Sequence, residues 1–284
     1  MPSLRALRLP HLLLAGGLLA AGAARADIVV SIAGNVAEAQ IELEDALGAS
    51  YEAVFRLTFE QPQNLTEACL GLSADLLDAA GIAAVDARLP DPAGQAIDPA
   101  FPMRITVEPP PACGLAFVND VQIELVTGDL VYTAFSPYRL MKAPVGGAFA
   151  DITGAIESGS VRARGRGGGF SEFVLATDLS QDYAPEAEDL LDELADELQD
   201  PDIALTAQTT LDIAIALVAA AYADDDFVAA LAALDSFDAD LRGFAGEAVP
   251  NRYAADAPDG DDLGEIAALA AALRFRLARL SGAP

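Results

Sequence analysis

The sequence predicts a β + α protein of two domains: an N-terminal antiparallel β-sandwich of the immunoglobulin-like class over residues 27–180, then a C-terminal up-and-down helical bundle over residues 181–284. Three observations carry this expectation. Apolar residues recur with period two as far as about Asp178, the period becomes helical near Ser180, and Gly, Pro, Asn and Asp cut the first part into short segments. Strands joined by turns, followed by amphipathic helices, produce that pattern.

The first 26 residues belong to neither domain. Arg5 and Arg8 precede an apolar run at residues 12–24, and Ala24-Arg25-Ala26 forms a small-x-small box, so the segment reads as a signal peptide cleaved after Ala26. The run is too short for a membrane anchor. The expected mature chain starts at Asp27 and is exported, to the periplasm or to the medium.

Cleavage removes Arg5, Arg8 and Arg25, which takes the formal charge from −28 to −31, and with them goes His11, the single histidine. So acidic a chain repels phosphate backbones and anionic headgroups; nucleic acid and direct membrane insertion are not expected. High net charge keeps a protein dispersed, and the sequence leaves open whether a saline habitat or a function set it. Without imidazole, Ser-His-Asp and Cys-His catalysis and His-containing zinc sites are excluded from the mature chain.

In the expected sandwich, residues 28–32 are mostly β-branched. Residues 51–60 alternate, with Tyr51, Ala53, Phe55, Leu57 and Phe59 on one face and Glu52, Arg56, Thr58 and Glu60 on the other, as in an antiparallel sheet with one wet side. Further strands are expected at residues 103–107, 121–126, 130–135, 161–166 and 170–176, and Pro109-Pro110-Pro111 should make an extended crossing outside any ladder. Cys69 and Cys113 flank that crossing. In an oxidising compartment they are expected to pair, which favours one sandwich over two small β units.

The helices follow in order. Residues 185–199 open with Pro185 and Glu186 and carry Leu190, Leu191, Leu194 and Leu198 on one side; residues 205–223 place Leu211, Ile215, Val218 and Tyr222 on a stripe. A third helix, capped by Asp224-Asp225-Asp226, presents Phe227, Leu231, Leu234 and Leu241 and stops near Gly243 and Gly246. The fourth, residues 262–280, stacks Ile266, Leu269, Leu273, Leu277 and Leu280, with Arg274, Arg276 and Arg279 toward its negative end. Four such helices on short loops make a bundle.

Chemistry-bearing motifs are few. Lys142, the only lysine, follows Ser136 by six residues, which is not the Ser-x-x-Lys spacing. The acidic loop at residues 256–265 puts Pro258 or Leu263 where an EF-hand needs a ligand, so it reads as a helix cap. No metal and no cofactor is expected. Gly167-Gly168-Gly169 lacks the spacing of a phosphate loop. A carboxylate-pair hydrolase such as a glycosidase is the rival reading, but among 44 acids no pair stands out.

Arg162, Arg164 and Arg166 alternate on one strand face and concentrate positive charge. They are the candidate binding residues, for an anion or for contact between domains. Residues 27–180 carry a net −13 and residues 181–284 a net −18, so docking calls for a local patch of opposite sign. Glu186, Asp189, Glu193 and Glu197 share a helix face that could meet it.

Two blocks carry a likeness. Ser136-Pro137-Tyr138-Arg139-Leu140-Met141-Lys142-Ala143-Pro144-Val145-Gly146-Gly147-Ala148-Phe149-Ala150-Asp151-Ile152-Thr153 and Gly159-Ser160-Val161-Arg162-Ala163-Arg164-Gly165-Arg166-Gly167-Gly168-Gly169-Phe170-Ser171-Glu172-Phe173 resemble the core of a family of exported bacterial proteins known as a domain of unknown function. The likeness runs through most of residues 27–280. The helices are also similar in pattern to FIVAR or FIMAH modules. The resemblance implies an exported, non-catalytic accessory or surface-associated protein and brings no catalytic residue with it; the partner expected is a protein or a cell-envelope component.

Overall fold

The structure, a computed structural model, describes residues 25–258 and 260–283. Residues 1–24, most of the expected signal peptide, lie outside the described residues. The first strand begins two residues ahead of the expected mature N-terminus.

The strands are β1 (Arg25–Ala33), β2 (Val36–Glu44), β3 (Ser50–Gln63), β4 (Leu72–Leu76), β5 (Gln95–Ile97), β6 (Met103–Val107), β7 (Ala116–Thr127), β8 (Tyr138–Ala143), β9 (Ala150–Asp151), β10 (Thr153–Glu157), β11 (Val161–Gly167), β12 (Glu172–Asp178) and β13 (Arg252–Ala254). The helices are α1 (Glu67–Leu70), α2 (Ala79–Asp86), α3 (Tyr183–Glu197), α4 (Leu205–Ala223), α5 (Phe227–Gly243) and α6 (Asp262–Leu280). The strands form two antiparallel sheets. One runs β1-β2-β3-β7-β11-β10 with β13 beside β7; the other runs β4-β6-β12-β8-β9 with β5 beside β12.

The period-two pattern explains the pairing. Ala53, Phe55, Leu57 and Phe59 of β3 and Ile123 and Leu125 of β7 share a core with Met103, Ile105, Leu140, Phe173 and Leu175 of the second sheet. Phe55 and Phe173 meet across it with ring centroids 5.2 Å apart. Each large side chain buried there contributes roughly 1.5–3 kcal/mol. Strands β8 and β12 are buried on both sides, because Met141, Ala143, Val174 and Ala176 pack outward against Leu77, Val85, Ile97 and Phe149.

The polar face of the first sheet is a charge ladder. Glu38, Arg56, Glu124 and Arg164 stand opposite one another on four adjacent strands. Arg56 pairs with Glu38 at 2.5 Å and Glu124 at 2.8 Å, and Arg164 with Glu124 at 2.7 Å. Cross-strand pairs of opposite sign stabilise a sheet modestly and fix its register.

Cys69 and Cys113 form a disulfide with Cα atoms 5.3 Å apart. It ties α1 to the short 3-10 turn Pro111–Cys113 that ends the proline run, closing the crossing that leads into β7.

The strand expected at residues 130–135 is not one; this stretch is a loop. The Asp129 carboxylate turns back to accept from the Glu52 amide at 2.8 Å, Leu130 plugs the core and Val131 faces solvent. Pro137 then ends the segment before β8. A short apolar alternation flanked by Gly128-Asp129 and Pro137 is an anchored loop as readily as a strand.

The helical periodicity is matched closely: α4 and α6 span the expected residues and α3 starts two residues early. Their leucine stripes make one second core, with Leu194, Leu211, Leu234, Phe237, Leu273 and Leu277 all buried. Helix α6 is the hinge of the structure. It packs against α3 and α5 on one side and against β10 and β11 on the other, and its Phe275 enters the core between the sheets. Strand β13, from the C-terminal half, joins the first sheet beside β7, and Tyr253 and Ala255 enter that same core.

Candidate functional site

Lys142 lies on the same face of β8 as Tyr138 and Leu140, which enter the core. Lys142 instead reaches α6, where its Nζ donates to Glu265 Oε1 at 2.9 Å. Close backbone contact makes this reach possible. A Cβ on Gly264 would sit 2.3 Å from the Gly168 Cα, and one on Gly168 would sit 2.6 Å from the Asp261 carbonyl oxygen. The turn between β11 and β12 and the first turn of α6 thus touch through two glycines, as close backbone approach requires.

Beside this contact opens a cleft of about 480 Å³, bounded by the ends of β8 and β9, the β11–β12 turn, α3, α6 and β13. Ile152, Phe170, Tyr253 and Leu269 supply apolar surface; Lys142, Asp151, Glu193, Glu197 and Glu265 supply charge. The Phe170 and Tyr253 rings meet edge to face at 5.0 Å. Burial pushes the Tyr253 phenol up to about 12.

The charges fall into two groups. Asp151 is held by Arg276 and lies 3.5 Å from Arg139 Nε, and Glu265 is held by Lys142. Glu193 and Glu197, one turn apart on α3, form no ion pair among the described residues. Burial raises both pKa values, helped by Asp189 next to Glu193 and by Glu265, Asp262 and Asp200 around Glu197. Two carboxylates with no counterion in a cleft that holds aromatic rings favour a cationic guest.

Behind Asp151 lies a buried ion network between sheet and helices. Arg139, fully buried, reaches Asp178 at 3.2 Å, and Arg276 reaches Glu186 at 2.9 Å. Burial pushes Glu186 up to about 7 against the pull of Arg276. At the start of α6, Asp261 caps the helix by accepting from the Gly264 amide at 3.0 Å, and burial pushes it up to about 8. Among the described residues no group of three or more His, Cys, Asp or Glu side chains is placed to hold a metal ion.

The arginines singled out in the sequence lie elsewhere. Arg162 and Arg164 face Glu124, with Glu157 also on Arg164, and Arg166 lies 3.4 Å from Asp120. None of their ion pairs among the described residues reaches the acids of α3. Docking between sheets and helices instead runs through Arg276, Lys142 with Glu265, and Arg242 of α5 on Asp120 at 2.9 Å. The register explains it, since Glu124 of β7 stands opposite Arg164 and Glu157 of β10 opposite Arg162, so acids of the same sheet take these arginines. Of the cleft residues, Glu193, Glu197, Lys142 and Glu265 drew attention in the sequence for other reasons and Asp151 only within the resemblance block; Tyr253 carried no signal there, because only the fold brings these residues together.

A family described as of unknown function, DUF6689, matches residues 13–281. Comparison with curated proteins and with solved structures gives no match.

Proposed function

This chain belongs to the DUF6689 family, and we propose that it is an exported, non-catalytic binding protein in which a β-sandwich and a helical bundle close on a cleft that takes an organic cation with an apolar body. The observation that carries this reading is the meeting in one cleft of two carboxylates without counterions among the described residues, Glu193 and Glu197, with the rings of Phe170 and Tyr253. The disulfide is compatible with export to an oxidising compartment. The ligand in its setting is a protein or envelope component that presents amines.

The hydrolase reading draws less support. A glycosidase needs two free carboxyl groups facing each other across the scissile bond, whereas Glu193 and Glu197 stand on one wall and Asp151 and Glu265 are engaged by cations. The test is calorimetric titration with phenethylammonium and, as a control of opposite charge, phenylacetate. Binding of the cation alone is expected, weakened about tenfold or more in Glu193→Gln/Glu197→Gln, as for the loss of a charged partner. Equal binding of both probes, or none of either, would sink the cleft as a cation seat.

A further inference from the structure

Independent of the cleft, the end of α6 holds a buried cation, two of whose three nitrogens have no partner among the described residues. Arg279 is 6% exposed. Its Nε and Nη2 are buried and have no hydrogen-bond partner among the described residues, and its only hydrogen bond there is a long one, from Nη1 to the Ala283 carbonyl at 3.5 Å. No carboxylate pairs with it among the described residues; Asp178 is taken by Arg139, and Asp151 and Glu186 by Arg276. The guanidinium lies 4.8 Å from the Phe275 ring centroid and 5.6 Å from that of Phe135. Two rings return less than the desolvation of an unpaired guanidinium costs.

A third orphan lies close by. The Tyr183 hydroxyl is buried and unpartnered, and Tyr183 faces Phe275 edge to face at 6.3 Å. Its proximity raises the pKa of Arg279, against the larger lowering from burial. The unpartnered atoms are two guanidinium nitrogens, which carry three N–H groups between them, and one phenol oxygen, and each can donate. A water would answer one or two of them and bring two protons of its own that need acceptors. A spherical anion accepts from guanidinium and phenol alike and neutralises the charge, which the ring faces over the guanidinium do only in part. Gln181 Nε2 donates to the Phe135 carbonyl at 3.2 Å, holding the loop that carries Phe135 against this spot.

We propose that Arg279 and Tyr183 form a buried seat for a halide-sized anion, chloride in a saline medium, closed by the loop that carries Phe135. The anion completes the packing of α6 against the sheets and stabilises the folded chain by mass action.

The full chain is melted at constant ionic strength while chloride replaces methanesulfonate, a larger and non-spherical anion. Chloride should raise Tm by roughly 2–6 °C with saturation. In Tyr183→Phe, which keeps the ring and removes one donor, the apparent affinity should fall about tenfold; in Arg279→Gln the effect should vanish. If Arg279→Gln does not fold, Tyr183→Phe and a second measurement decide: crystals grown in bromide should show an anomalous peak within hydrogen-bond reach of Arg279 Nε. The same Tm in both anions, an unchanged response in Tyr183→Phe, or bromide sites only elsewhere would overturn the proposal.

Discussion

At the residue scale, the charged side chains differ less in their partners than in their exposure. Arg164 joins a ladder of carboxylates but its side chain is 44% exposed, whereas Arg139, also set between two carboxylates, has a side chain with no exposure at all. Water screens the first and not the second. Replacing Arg162 or Arg164 by Ala should therefore cost at most about 1 kcal/mol. Arg139→Ala leaves Asp178 and Asp151 buried beside less positive charge and should cost roughly 3–5 kcal/mol. Urea denaturation of the three variants measures the difference, and near-equal losses would contradict it. The sequence showed the first set because three arginines in alternation form a visible motif. Arg139 gave no such sign, since a lone arginine between Tyr138 and Leu140 looks the same whether it is buried or wet.

At the element scale, the β11–β12 turn and α6 depend on a contact between backbones. Gly264→Ala would drive a Cβ into the Gly168 backbone, and because backbone cannot swing aside, α6 must shift. The expected loss is about 1–3 kcal/mol, accompanied by weaker binding in the cleft that α6 helps to wall. Gly243→Ala, at the end of α5 with open space around it, should be neutral or stabilising by up to about 1 kcal/mol. Thermal melts of both variants separate a packing role from simple helix propensity. This contact also marks where the sequence stopped being legible. Strand and helix positions could be read because each element carries its own periodicity, as the leucines of α6 and the alternation of β3 show. Partners across elements have no period: nothing in Gly168 points to Gly264, nor in Lys142 to Glu265. Residues 130–135 failed from the opposite side, because six residues of apolar alternation hold too few repeats to separate a strand from a loop pinned by Leu130.

At the scale of the whole molecule, an acidic chain has buried acids whose pKa values rise on folding, and this fixes how stability responds to pH. Burial moves Glu186 to about 7, Asp261 to about 8 and Asp262 to about 6, all above the values near 4 of the unfolded chain. Across the interval from about 4.5 to 8 the folded chain thus binds more protons than the unfolded one. Stability must then fall as pH rises through that interval, in the same sense as the self-repulsion of a chain at −28, or −31 once the expected signal is removed. Below pH 4 the sign reverses. Asp178, although burial pushes it up, is held below its ordinary value by the Ser180 hydroxyl and Arg139, so its contribution is lost on protonation. The expected profile is a maximum of Tm near pH 5, with a decline of several degrees by pH 8.5. Scanning calorimetry across pH 3–9 gives the curve, and Glu186→Gln should flatten the limb around pH 7 without abolishing the fall that Asp261 causes nearer pH 8. A profile level or rising from pH 5 to 8 would show that water reaches these acids in the folded chain, and that the junction between sheets and helices is open.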